Sequence, residues 1–303
     1  MGFKDLIGKF MNPEPGGPLR SARMGLDELS RRLGIDLPTL TSVPVTYTSF
    51  IIPKRSGGTR VIQSPNPQLK SIQRQILRRL LARLRSHPAA TGFERGRSIV
   101  SNAIPHAGKS LLIKMDIREF FSSTGARRIE LYFNHIGWSD DAAVLLTRLC
   151  TFEGRLPQGA PTSPRLSNLV NFRLDARLSA LARKLDGSYT RYADDLTFSF
   201  GEDDWEKRYA TIRVTKLALE NDGYHLHTRR KLHIRRRHQQ QRVTGLVVNE
   251  RVRLARKTRR WLRAVEHHVR TGKAVTLTGA QLDGWRSFAG MVLRQAEEQP
   301  RTD

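Results

Sequence analysis

The 303-residue sequence predicts an α+β fold, and three stretches carry that prediction. Ser188–Tyr192 and Leu196–Phe200 are β-prone runs joined through Ala193-Asp194, which reads as strand, tight turn and returning strand. Leu111–Ile117 is a nearly unbroken apolar run with a single acid, Asp116, near its end, the pattern of a buried strand. Leu166, Leu169, Val170, Leu174, Leu178, Leu181 and Leu185 recur at helical spacing, so one helix begun by Pro164 and capped by Ser163 packs them on the sheet.

Composition narrows the function. Lys and Arg number 53 against 28 Asp and Glu, a formal charge of +25. That excess repels itself unless a polyanion neutralises it, so nucleic acid is the leading partner and an anionic membrane surface the second. No run of 18 apolar residues is present, which excludes a membrane-spanning helix. Met1–Met11 lacks the apolar stretch of a secretory signal, and a single cysteine, Cys150, excludes an internal disulfide or a cysteine-built zinc site. Cytoplasm is the expected location.

The remaining elements follow in order. Residues 1–22 carry three prolines and four glycines and read as a lead segment. Leu26–Leu33 has helical spacing closed by Gly34. Tyr47–Pro53 and Val61-Ile62 form a hairpin with a Gly57-Gly58 tip, and Lys54 and Arg60 on its shoulders are placed to close over phosphates. From Pro67 to about Ser86 a helix buries Leu69, Ile72, Ile76, Leu80 and Leu84, and its other face carries Lys70, Arg74, Arg78 and Arg85. Helical material is expected from Arg118 to Cys150, then a loop over Leu156–Pro164. Residues 229 to 263 hold fourteen Lys and Arg and one acid, Glu250. There Gln241–Asn249 reads as a strand pair. A helix from Lys257 to about Arg270 is expected to bury Trp261, Val265 and Val269. Its exposed ridge, Arg256, Arg260, Arg263, His267 and Arg270, suits a phosphate backbone.

The costly residues are three acids. Asp194 and Asp195 are like charges side by side, and Asp116 ends a buried strand; a divalent cation rewards all three. Two Mg2+ ions held about 3.5–4 Å apart by shared carboxylates would activate a 3′ hydroxyl and stabilise leaving pyrophosphate. Lys54 and Arg60 would then meet the triphosphate, Phe121 would stand against the sugar, and Gln158 would bond the incoming nucleotide.

These residues carry a resemblance. Phe50–Ile62, Leu112–Phe121, Leu156–Pro164 and Tyr192-Ala193-Asp194-Asp195 resemble the blocks of bacterial reverse transcriptases. Asn102-Ala103 with His106 and Val243-Thr244-Gly245 are similar to elements of the retron type. The resemblance implies a right-hand polymerase. Residues 1–45 would be a lead with short helices, 46–235 fingers and an antiparallel palm packed on helices, and 236–303 a primer-grip region with a small basic helical thumb.

It also implies roles. Asp116, Ile117, Asp194 and Asp195 would hold the two Mg2+ ions, the three acids being catalytic. Lys231, in a block that resembles the next palm motif, would contact the nucleotide or pyrophosphate. Arg74, Arg78, Asn102, His106, Thr244, Gly245, Arg256, Arg260 and Arg263 would contact RNA or DNA. Implied partners are dNTPs, a cognate structured RNA primed from a guanosine 2′ hydroxyl, its RNA-linked DNA product, and a separately encoded effector in phage defence, with no membrane. A group II intron-like enzyme and a non-catalytic RNA-binding module are the alternatives.

Overall fold

The computed structural model describes residues 23–54, 57–227 and 232–298. The fold is α+β, with every named strand pair antiparallel. Leu26–Leu33 (α1) ends where Gly34 takes a left-handed φ of 63°, and Leu37–Ser42 (α2) is capped by Asp36. Tyr47–Pro53 (β1) and Thr59–Pro65 (β2) make a two-stranded ribbon with Ile52 opposite Arg60. Pro67–Gln75 (α3) follows, capped by Asn66.

The helix expected to reach Ser86 changes form at Ile76 into a π turn that ends at Leu81. The end is capped from outside: the Arg165 guanidinium takes the main-chain carbonyls of Leu81, at 3.2 Å, and Leu84, and Pro88 offers no N–H to carry an α-helical ladder on from Leu84. Ile99–Ala103 (α4) starts in a Ser98/Ser101 capping box and runs into a short 3-10 turn ending at His106.

The central sheet has four strands. Leu111–Asp116 (β3), Gly187–Tyr192 (β4), Asp195–Phe200 (β5) and His233–Arg236 (β6) lie in the order β4-β5-β3-β6. Side chains alternate across it, as strand geometry requires. Leu111, Ile113, Met115, Leu196, Phe198 and Phe200 bury one face against Leu174, Leu178, Leu181 and Leu219. The opposite face carries Lys114, Asp116, Thr190, Tyr192, Asp195, Thr197 and Ser199.

Several helical expectations are corrected. Residues 118–124 form turns, because Glu119 adopts φ 50°; the next helix, Ala126–His135 (α5), starts after Gly125, and Asp140–Cys150 (α6) follows. The long helix after Pro164 is two, Ser163–Val170 (α7) and Phe172–Lys184 (α8). Asn171 separates them, its side-chain amide bonding the Ser167 carbonyl at 2.8 Å and the Tyr224 hydroxyl at 2.9 Å. Thr162, not Ser163, holds the cap position, without a side-chain bond.

Trp205–Asn221 (α9) packs on α8. Arg242–Val243 (β7) and Leu246–Val247 (β8) form the expected small pair around Thr244-Gly245. Arg256–Arg270 (α10) and Gly279–Glu297 (α11) finish the described chain. On α10 the apolar face is Leu262 and Val265, packed near Leu282 of α11, with Trp261 half-buried against Trp285. Val269 is exposed, which corrects its expected burial. Among the described residues no helix is long and apolar enough to cross a membrane.

One end of the sheet's polar face is sealed. Val100 and Ala103 of α4 pack on Leu112 together with Val243, Leu246 and Val292. His106 fills the same end with its ring nitrogens 2.7 Å from Ser199 Oγ and 2.8 Å from Thr190 Oγ1. Both hydroxyls serve as donor or acceptor, so a neutral imidazole is fully satisfied there. Burial pushes the His106 pKa down to about 3, helped by Lys109 and Lys114.

That burial has a measurable consequence. Between about pH 6.5 and pH 3 the unfolded chain protonates this histidine and the folded chain does not, so stability falls as pH falls, by up to about 1.4 kcal/mol per unit. Denaturant unfolding of wild type and His106→Gln at about pH 7 and about pH 5 checks this. The wild type is expected to lose more stability than the variant on acidification; parallel losses would refute it.

Candidate active site

Strand register brings the acids together. Asp116 is the direct cross-strand partner of Asp195, and Asp194 lies in the turn joining β4 to β5. The junction is tied by main-chain bonds: Ile117 N–H donates to Asp194 O at 2.9 Å, and His227 N–H donates to Asp116 O at 2.9 Å. The Ile117 side chain is a buried hydrocarbon with no donor atom, so its carbonyl oxygen is the one group it could offer a metal. Asp116 is 7% exposed, whereas Asp194 and Asp195 are half-buried. Lys114 Nζ stands 3.9 Å from Asp195 Oδ2, and His227 Nε2 stands 3.8 Å from Asp116 Oδ2.

Among the described residues, no three acid, histidine or cysteine side chains close around a single point as a cage. The donor set here is carboxylate plus main-chain carbonyl oxygen. It fits Mg2+, which takes one or two protein carboxylates and completes its shell with water and substrate phosphates.

The turn itself is under constraint. Ala193 adopts φ 57°, a conformation that favours glycine. Arg191, two residues earlier, holds it. Its guanidinium donates to Ala193 O at 3.1 Å and to Asn168 Oδ1 at 3.1 Å. It also pairs with Asp175 of α8, Nε to Oδ1 at 2.8 Å and Nη2 to Oδ2 at 2.6 Å. Arg191 and Asp175 are both 0% exposed. Tyr189 adds a hydroxyl to Asp175 at 2.9 Å, and the Phe120 ring lies 5.5 Å from the guanidinium carbon. Burial and the Asp175 charge push the Tyr189 hydroxyl well above its usual pKa, so it stays a donor. Asp175 raises the Arg191 pKa against the opposing effect of burial.

Sequence reasoning missed this network, although a signal was there. Arg191 occupies an inward position of an alternating strand, and Asp175 adjoins Leu174 on an apolar helix stripe. A charge at a core position requires a partner.

Ala89–Gly92 buttresses the same turn. Arg191 N–H donates to Ala89 O at 2.7 Å, and Thr91 N–H donates to Arg191 O at 2.9 Å. A Cβ on Gly92 would sit 2.8 Å from the Ala193 nitrogen, so only glycine fits there.

The other expected site residues fall into three groups. Some flank the acid face. Phe121 is half-buried beside Phe120, 5.5 Å between rings, and packs on the edges of two cores. Gln158 accepts from Gln63 N–H at 2.8 Å, which seats its loop on β2. The next residue, Gly159, has φ 138°, and a Cβ there would lie 2.5 Å from Gln63 O. Others are exposed: Lys54 and Arg60 on the ribbon, Arg74 and Arg78 on α3 and the π turn, Gly245, and Arg256, Arg260 and Arg263 on α10.

The third group turns inward, and the full burial of Asn102 and His106 corrects the expectation that these two side chains touch nucleic acid. Asn102 is buried, with its Oδ1 accepting from Thr91 Oγ1 at 2.6 Å, and His106 is plugged as described above. Thr244 is half-buried, its hydroxyl donating to Ile99 O at 2.9 Å. These side chains join α4 to the sheet and to β7–β8. Lys231 lies outside the described residues.

The family model for reverse transcriptase (RNA-dependent DNA polymerase) matches residues 52–228. The retron Mx65 reverse transcriptase of Myxococcus xanthus is 39% identical over 267 residues, covering 81% of this chain and 61% of that protein. The retron Mx162 enzyme of the same organism is 40% identical over 259 residues, covering 75% of this chain and 53% of that protein. The retron Ec86 reverse transcriptase of Escherichia coli is 33% identical over 271 residues, covering 87% of this chain and 83% of that protein. The chain thus spans little more than half of the two Myxococcus proteins it matches.

Asp175→Asn tests the brace under the turn. It leaves the Arg191 guanidinium buried without its counter-charge, at an expected cost of about 3–5 kcal/mol in urea unfolding. A loss below about 1 kcal/mol would mean that the pair is not carrying the turn.

Proposed function

The chain belongs to the reverse transcriptase family and within it to the retron type, and from that premise we propose that it is an RNA-directed DNA polymerase copying part of a cognate structured RNA into DNA. The observation that carries this reading is the register pair Asp116–Asp195, with Asp194 in the adjoining turn, at the open end of a polar sheet face. In this reading the four-stranded sheet is the palm, the β1–β2 ribbon belongs to the fingers, and α10 with α11 forms the thumb.

Asp116, Asp194, Asp195 and the Ile117 carbonyl would hold Mg2+, which when bound supplies charge stabilisation for the attacking 3′ hydroxyl and the leaving pyrophosphate. The chain's own residues set the geometry. Arg191 and Asn168 fix the turn, so the carboxylates do not reorganise as substrate arrives. Lys54 and Arg60 meet triphosphate charge from the ribbon. Phe121 stands where extra bulk on the sugar, a 2′ hydroxyl, would be refused. Gln158, seated on β2 through Gly159, meets the incoming nucleotide. Arg74 and Arg78, with Arg256, Arg260 and Arg263 on α10, track the backbones of template and product. In keeping with the retron type, priming from a guanosine 2′ hydroxyl of the same RNA would leave RNA-linked DNA. A separately encoded effector in phage defence and a cytoplasmic setting complete the proposal.

Template-directed dNTP incorporation with Mg2+ is the direct test. Wild type is expected to extend a primer, and Asp194→Asn with Asp195→Asn to lose at least about a thousandfold in rate while binding RNA as before. Equal inactivity with equal RNA binding would favour a non-catalytic binding module. The thumb assignment has its own check. Arg256→Ala, Arg260→Ala and Arg263→Ala together are expected to lower the slope of log K against log salt by about two to three. An unchanged slope would mean that this ridge faces solvent alone.

A further inference from the structure

We propose that Phe93 is a substrate-contacting wall of the active site, packing on the sugar and base edge of the nucleotide pair formed beside Asp194 and Asp195; this rests on the polymerase reading above. Phe93 is 46% exposed and belongs to none of the buried cores. Its φ is 63°, a backbone conformation rare for a bulky side chain and kept only where neighbours over-determine it. Folding therefore gains little from this ring and holds it in a strained position nonetheless.

The neighbours do over-determine it. On one side, Gly92 lies against the Tyr192–Ala193 backbone, and its carbonyl accepts from Asn168 Nδ2 at 2.7 Å. On the other, the Glu94 carboxylate accepts from the same Asn168 Nδ2 at 2.8 Å and pairs with Arg165, which is anchored on Leu81 and Leu84. Asn168 in turn accepts from Arg191. The residues before and after Phe93 are thus clamped by the same buried network that fixes the acid turn.

The clamp aims the ring at two others. Its centroid is 6.1 Å from that of Phe121 and 6.4 Å from that of Tyr192. Tyr192 is the register partner of Asp195, so the three rings form an aromatic corner on the acid face of the sheet. A nucleoside offers that corner an apolar sugar face and a π-surface edge, and contact with such rings tolerates every base. Phe121 is placed by core packing. Phe93 is placed by hydrogen bonds to its flanks, with its exposed surface left for a ligand.

The test uses Phe93→Gly, which keeps the left-handed backbone without strain and removes the ring, and Phe93→Tyr, which keeps the ring. Single-nucleotide incorporation is measured on a generic RNA template with a DNA primer across a dNTP titration, alongside thermal unfolding. Phe93→Gly is expected to melt no lower than wild type and to raise the dNTP KM about tenfold, with kcat changed far less. Phe93→Tyr is expected to stay near wild type. An active wild type with an unchanged KM in Phe93→Gly overturns the inference alone. A raised KM accompanied by a lower melting point in Phe93→Gly overturns it in favour of a structural role. A wild type that incorporates nothing overturns the polymerase reading and this inference with it.

Discussion

The site hangs on one buried ion pair. Arg191 and Asp175 are fully out of water, and two such charges are tolerable only when nearly every lone pair and N–H finds a partner. They find them in Tyr189, Asn168 and the Ala193 carbonyl. The last bond matters most. Through it, a charge on the core face of the sheet fixes the backbone of a turn whose carboxylates face the other way. The cost of burying the pair is set against a turn that could otherwise relax out of its left-handed kink.

A second constraint is the sheet's division of labour. Period-two alternation gives β3 and β5 one face of Leu, Ile, Met and Phe and another of Asp, Lys, Thr and Ser. A polar face in the middle of a protein must be satisfied or wetted. The His106 plug satisfies one end, with α4, β7 and β8 packed around it. The acids occupy the other. The same sheet is closed where hydroxyls meet an imidazole and open where the carboxylates gather.

Much of this was legible in the sequence. The hairpin around Ala193-Asp194, the buried strand ending at Asp116 and the β7–β8 pair follow from alternation and turn chemistry. That the hairpin and the Asp116 strand share one sheet is expected and is found, whereas β7 and β8 pair apart from it. What escaped was set by side chains reaching across the fold. Arg165 caps the end of a helix some eighty residues earlier in the chain, and Asn171 breaks a leucine stripe that looks continuous. Asn102 and His106 belong to a motif that invites a binding role, yet burial makes them internal fasteners. Glu119 ended a predicted helix by taking a positive φ that no local pattern announces.

The seam between Gly159 and Gln63 carries a further consequence. There two stretches of main chain touch with no side chain between them. Such a joint cannot be loosened by degrees, because the smallest addition already collides with a carbonyl oxygen. The Ile62 methyl group closes the same space from the side, so ribbon and loop keep one fixed spacing and move, if they move, as a single piece.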